Sequence, residues 1–468
     1  IAEDRQGNIW IGTLNGLSMQ KQGSNDFITY TQHSTPGKAL SNNAINSIEF
    51  DGDNLWIGTG GGLNILDTRT GTIAKYGLDY RNLYSLNSPS IRFVCVDNQG
   101  IYWLGTFGGG VNRYDKNLNV FNQVRSNVFD NKGLKATFVT SFAEDKTGQI
   151  FVGTEGGGLS LFNPKTRLFH HFDIRSRRKD AENHITVLAL KTNRSHQLMI
   201  GTFSEGLFII DPASGNYQQL IKGDKGQDLN SNDVFCIEED SKGNIWLGTN
   251  GQGINVLNPK NEVITRYTPN PKHPNDIPLP LNAYIRNIKE DREGTIWIAT
   301  YGGGLARLQP LTGKFTIYNT TNSKLPNDKV LSIHEDSHGN IWAGTFGGGI
   351  ALFDKRINQF SIFSEKDGLP NNTVYGIVED QKGLIWVSTN KAISSIDLNT
   401  RKINSYDYHN GVQNNNFIPG SGMRSSSGEI FFGSFEGFNY FNPAYLKKNN
   451  TPPVALITDL RIANHSVT

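Results

Sequence analysis

Apolar and polar residues alternate along most of the chain in short runs, each closed by glycine, asparagine or aspartate. A period of two predicts strands, and helical spacing is nowhere sustained. One pattern recurs: apolar–x–Glu–Asp–x–x–Gly–x–Ile–Trp–Ile–Gly–Thr–x–x–Gly–Leu–x–x–apolar. Its cleanest copy, IHEDSHGNIWAGTFGGGI, runs from Ile333 to Ile350. Ten copies are anchored at Thr13, Thr59, Thr106, Thr154, Thr202, Thr249, Thr300, Thr345, Thr389 and Ser434, 44 to 51 residues apart. That period fits one four-stranded propeller blade per copy. In blade eight, strands A to D would be Val330–Ile333, Ile341–Thr345, Ile350–Phe353 and Phe360–Phe363.

All seven tryptophans, Trp10, Trp56, Trp103, Trp246, Trp297, Trp342 and Trp386, fall at one repeat position, which Phe151, Met199 and Phe431 fill in the other copies. A slot that takes every Trp is a packing slot between adjacent sheets. The expected fold class is therefore all-β, a β-propeller of four-stranded antiparallel blades. Seven blades to a ring is the common closure. That places the end of a first propeller at 1–134 and a seven-bladed propeller at 135–445. The pattern stops there, and 446–468 reads as a linker and the first strand, Val454–Ile462, of a β-sandwich. The chain opens mid-pattern at Ile1 and reads as a piece of a longer protein.

Composition narrows the function classes. Lys+Arg is 45 and Asp+Glu is 43, a formal charge of +2, with no concentrated basic face for nucleic acid. No run approaches a membrane span. Cys95 and Cys236 sit in apolar runs and read as unpaired small hydrophobes. The Glu-Asp pairs (Glu144/Asp145, Glu239/Asp240, Glu290/Asp291, Glu335/Asp336, Glu379/Asp380) recur in most blades, which suits turn-stabilising acids rather than an acid/base pair. They resemble the Asp-box turn of sialidases, a structural device. No phosphate loop, metal-ligand spacing or nucleophile elbow is present, so neither a cofactor nor a metal is expected.

Function is sought where the copies differ. The B–C turn and the start of strand A share one end of each blade, where loops vary without disturbing the sheets. After Gly-Thr stand Phe107, Phe203, Tyr301, Phe346 and Phe435. The starts of strand A bring Arg92, His184, Asp233, Asn282, Tyr284, Arg286, Asn327, Lys329, Asn371, Asn372 and Tyr375. Aromatic platforms with polar donors suit the apolar faces and hydroxyl rim of a sugar, and Arg also suits a carboxylate or sulfate. The candidate ligand-binding set is Phe107, Arg92, Phe203, Asn282, Tyr284, Arg286, Tyr301, Lys329, Phe346, Tyr375 and Phe435.

The stretch Glu239–Thr249, EDSKGNIWLGT, resembles the two-component regulator propeller repeat, and the ten copies extend that resemblance over the chain. The segment Thr451–Ile462 looks like the opening of the β-sandwich that follows such propellers. The resemblance implies the periplasmic sensor region of a hybrid two-component system of Bacteroidetes. There it would bind a glycan-derived oligosaccharide and signal, in a homodimeric receptor, to a histidine kinase controlling polysaccharide-utilisation genes. The kinase residues are not in this chain, so no enzyme activity is expected of it, and contact with the membrane would run only through other segments. The alternatives are a propeller enzyme, a lyase or glycosidase with clustered His, Glu or Arg, and a protein-binding scaffold.

Overall fold

The computed structural model describes the chain except residues 81, 83, 116–120, 128–129, 179–184, 224–227, 269–283, 414–415, 447–460, 463–464 and 467–468. The described elements are β-strands and three short 3-10 turns. Ten antiparallel blade sheets are described, nine of them with their strands side by side in chain order, together with one two-stranded sheet. Blade eight is representative, with strands Val330–Glu335, Ile341–Thr345, Ile350–Asp354 and Gln359–Phe363. The fold is an all-β propeller architecture.

The repeat signature has a reason at each position. In blade eight the Asp336 carboxylate accepts from the backbone N–H of His338 and of Asn340, both at 2.9 Å, which closes the A–B hairpin. Its second oxygen accepts from the Trp342 indole N–H at 2.8 Å. The same indole bond is made by Asp240, Asp291 and Asp380. The Glu before each Asp bonds the neighbouring blade instead. Glu379 accepts from Ser337 N at 2.8 Å, Glu335 from Arg292 N at 3.0 Å, and Glu290 from Ser241 Oγ at 2.8 Å.

The Gly-Thr step is equally physical. A Cβ on Gly248 would stand 2.5 Å from Ile285 Cγ2 of the next blade, so only glycine lets the inner strands approach this closely. The Thr hydroxyl then ties off the B–C turn, as Thr345 Oγ1 does by donating to Gly349 O at 2.8 Å. At Gly349 itself φ is +84°, the left-handed region.

Six tryptophans are at most 6% exposed, packed between neighbouring sheets, and Phe151, Met199 and Phe431 are buried in the same slot. Trp103 departs from the expectation at 38% exposed. Its blade has three described strands and is the last blade of its unit.

The chain forms two compact units. The first takes Ile1–Leu78, Ser85–Asn119 and Tyr445–Thr468, and the second Asp79–Tyr84 and Val120–Ala444. The first unit holds blades one to three, packed in sequence through Trp10 and Trp56. The second holds seven blades. Its last blade packs on its first, with Phe431, Phe438 and Tyr440 against Val139 and Phe142, so the seven close into a ring.

This corrects the expected boundary at 134/135, which lies at 119/120. Asn122–Val124 is the outer strand of the last blade, paired with Gly437–Phe441 (Asn122 opposite Tyr440, Val124 opposite Phe438). The preceding Phe121 is fully buried, 4.3 Å from the Phe441 ring and 5.1 Å from Tyr406. The expected sandwich strand Val454–Ile462 lies outside the described residues except Arg461–Ile462, which pairs with His465–Ser466. Both cysteines are free, as expected, and burial pushes the Cys236 thiol up to about 12.

Two outcomes are expected. Phe121→Ala leaves a cavity at the ring closure and should cost about 3–5 kcal/mol in a denaturant titration. Acidification should also weaken the ring. Burial would raise the Glu379 carboxyl, but His334, 3.8 Å away, and Ser337 outweigh it and pull it from 4.5 down to about 2. Asp291 is likewise held low, because Lys355 and the Trp297 indole outweigh its burial. Groups depressed on folding stabilise above their unfolded pKa and lose that as they protonate. The melting temperature should therefore hold above about pH 4.5 and fall progressively towards pH 2.

Candidate ligand-binding site

Every inner strand of the seven-bladed ring breaks register near its start. In blade seven, Ile285 pairs with Thr300 and Asn287 with Ala299, so Arg286 is the extra residue of a β-bulge. Blades six, eight and nine do the same, which makes Phe235, Leu331 and Tyr375 the bulge residues. A bulge re-aims one side chain without disturbing the ladder around it.

The B–C turns meet these bulges. Phe346 N donates to Lys329 O at 3.0 Å, and Tyr301 forms an isolated antiparallel bridge with Lys329. One cluster results, spread over blades six to nine. The Arg286 guanidinium lies 4.4 Å from the Phe235 ring centroid, 5.5 Å from Tyr284 and 5.6 Å from Tyr301. The Lys329 ammonium is 4.9 Å from Tyr301 and 5.4 Å from Phe346. The Tyr301 and Phe346 rings meet edge to face at 6.2 Å. Tyr375 donates to Asn390 Oδ1 at 2.5 Å.

Burial lowers the Arg286 guanidinium from its ordinary pKa, and burial with Tyr301 nearby raises the Tyr375 phenol. Phe346 is 42% exposed and Tyr284 36%, so the cluster opens to solvent.

One further segment forms a wall. The inner strand of the last blade, Phe417–Arg424, pairs at Phe417 with Ser434 and resumes only at Gly422 with Phe432. Ile418 to Ser421 loop out between. Gly420, at φ +73°, comes beside Arg286 O and the Asn287 side chain of blade seven.

The structure thus brings together six of the sequence-derived residues: Tyr284, Arg286, Tyr301, Lys329, Phe346 and Tyr375. It does not bring Phe203, Phe435, Arg92 or Phe107 to them. Arg92 and Phe107 belong to the first unit, where the guanidinium stacks 5.0 Å from the phenyl ring as a pair of their own. Phe203 of blade five is half exposed, and Phe435 packs edge-on against Phe138 at 5.1 Å. Aromatics after Gly-Thr therefore do not make one continuous ring. They gather only where a neighbouring bulge supplies a partner.

Asn282 and His184 lie outside the described residues. Asp233, Asn327, Asn371 and Asn372 are spent on backbone N–H groups of Ser204, Lys329, Thr373 and Glu365. Sequence reasoning missed Phe235 and Asn390. Phe235 was legible, because it occupies the same repeat position as Arg92, Arg286 and Tyr375. Among the described residues no group of three or more His, Cys, Asp or Glu could hold a metal ion. Tyr375→Phe should lower stability by about 1 kcal/mol and speed hydrogen exchange in the Asn390 turn, since one hydrogen bond holds that turn to the inner strand.

Comparison with known proteins bears on this arrangement. The sequence profile of the two-component regulator propeller matches residues 1–15, 39–61, 228–251, 278–302, 324–347 and 368–391, which include the first two strands of blades six to nine. The extracellular domain of a hybrid two-component system from B. thetaiotaomicron superposes with a TM-score of 0.78 at 27% identity, covering 100% of this chain and 60% of that one. A histidine kinase of Formosa agariphila is 32% identical over 81 residues, 17% of this chain and 6% of its own length. Virginiamycin B lyase from Staphylococcus aureus superposes with a TM-score of 0.52 at 13% identity over 68% of this chain and 98% of the lyase, a likeness of fold alone.

Proposed function

Because the chain is built of two-component regulator propeller repeats and resembles the extracellular domain of a hybrid two-component system, we propose that it is the periplasmic ligand-sensing region of such a receptor. Its ligand is a glycan-derived oligosaccharide, and its output is a histidine kinase controlling polysaccharide-utilisation genes. The observation that carries the reading is the open cluster on blades six to nine. There the exposed Tyr284 and Phe346 and the half-buried Tyr301 stand beside two cationic donors. Sugar rings dock their C–H faces on such platforms, and the donors fix the hydroxyl rim.

Signalling is a difference in affinity. The ligand must favour one arrangement of the receptor, a homodimer in this reading, over another, and nothing chemical need happen to it. Around Arg286 and Lys329 the described groups are rings, amides and cations, and the adjacent Asp233 and Asp328 carboxylates accept from backbone N–H groups. That favours a receptor over the lyase or glycosidase alternative. No helix among the described residues is long and apolar enough to cross a membrane.

Calorimetry against a broad panel of plant, algal and host-type oligosaccharides is expected to find a binder in the micromolar range. Chromatography should recover that sugar unchanged, and Tyr301→Ala should abolish the heat while leaving the melting temperature within a few degrees. Cleavage of the sugar, or silence across the panel, would overturn the proposal.

A further inference from the structure

We propose that the oligosaccharide recognised at this mouth carries an anionic substituent, a carboxylate or sulfate, held between Arg286 and Lys329. The inference rests on the glycan-sensing reading above and names the chemical class of its ligand. Its starting point is a contrast within the ring.

Several half-buried cations elsewhere in the ring are matched by acids, although Arg307, 5.7 Å from the Trp297 ring, is stacked with no acid among the described residues. Lys191 and Lys289 each sit 2.7 Å from the buried Glu238 carboxylate. Lys355 lies 2.8 Å from Asp291 and 3.3 Å from Glu335. Arg178 lies 3.6 Å from Glu205. Arg286 and Lys329 have no carboxylate partner among the described residues, and both flank the single ring of Tyr301.

The nearby acids are committed. Asp328 takes Thr320 N at 2.7 Å and Thr320 Oγ1 at 3.1 Å, and Asp233 takes Ser204 N at 2.9 Å. A half-buried cation without an acid is costly, and the aromatic faces offset only part of that, about 0.5–2 kcal/mol each. Stacking has a second effect. A guanidinium lying on ring faces keeps its N–H donors in its own plane, the geometry that accepts a carboxylate or sulfate in bidentate fashion. Lys329, exposed at the rim, adds a point charge on the other side of Tyr301. The excursion at Gly420 backs the Arg286 main chain, so the donors are presented from a supported strand.

The test divides the glycan panel. One arm holds oligogalacturonates, mannuronate oligomers and sulfated glycosaminoglycan disaccharides, and the other neutral xylo-, manno- and arabino-oligosaccharides. Wild type, Arg286→Gln and Lys329→Met are compared by calorimetry at low and high salt, with melting curves as the folding control. The expected result is binding in the acidic arm only, weakened by salt and roughly 10- to 100-fold weaker in each variant. A uronate or a sulfated binder then identifies the anion. A neutral binder that neither variant weakens overturns this inference and leaves the glycan reading standing, whereas silence in both arms removes both. Should Arg286→Gln fail to fold, Lys329→Met, at an exposed side chain, decides the question alone.

Discussion

Six of the ten blades depend on one carboxylate that does two things. The repeat aspartate closes the A–B hairpin through backbone N–H groups, and with its other oxygen it fixes the indole on the second strand of that hairpin. Without that bond the Trp N–H would be a buried donor with no acceptor, and the largest side chain of the interface would have no fixed orientation. With it, each indole enters the gap between sheets at a set angle. Full burial of a ring that size contributes roughly 4–6 kcal/mol by area. The glutamate beside it hands the same turn to the neighbouring blade, so hairpin, wedge and blade spacing come from two adjacent acids.

That division of labour explains where variation is tolerated. One end of each blade is committed to acids and indole. The other end is closed mainly by a Thr hydroxyl on a turn carbonyl, which constrains the backbone and leaves the following side chain free. The bulge on the inner strand adds a second free position. Blades six to nine use both to gather rings and cations. Blade four puts Thr140 in the bulge and spends its hydroxyl on Val187 O of blade five, so that sector packs where the other sector binds.

The repeat, the blade count, the strand limits of blade eight and the burial of six indoles could all be read from spacing alone, because each copy meets the same physics. The errors fall where a blade lacks a standard neighbour. Trp103 looks identical to the other tryptophans in sequence, and only the sheet beside it decides its exposure. Asn122–Val124 is too short and too polar to announce a strand, and its pairing partner lies more than three hundred residues away. Within the site, residue type marked Arg286, Tyr301, Lys329 and Phe346, but type could not tell that Phe203 and Phe435 stand apart from them. Proximity there depends on which bulge faces which turn, a property of pairs of blades rather than of either sequence segment.

The ring closure also sets how the unit meets mechanical tension. The chain enters through Asn122 and leaves past Phe441, and those two ends are neighbours on one antiparallel strand pair. Pulling the flanking segments apart would strip that pair rung by rung from its open end, rather than sliding the strands against all their hydrogen bonds at once. The tilted, touching rings of Phe121 and Phe441 sit where such peeling must begin, so resistance to a tug on the backbone is concentrated in a single aromatic clasp.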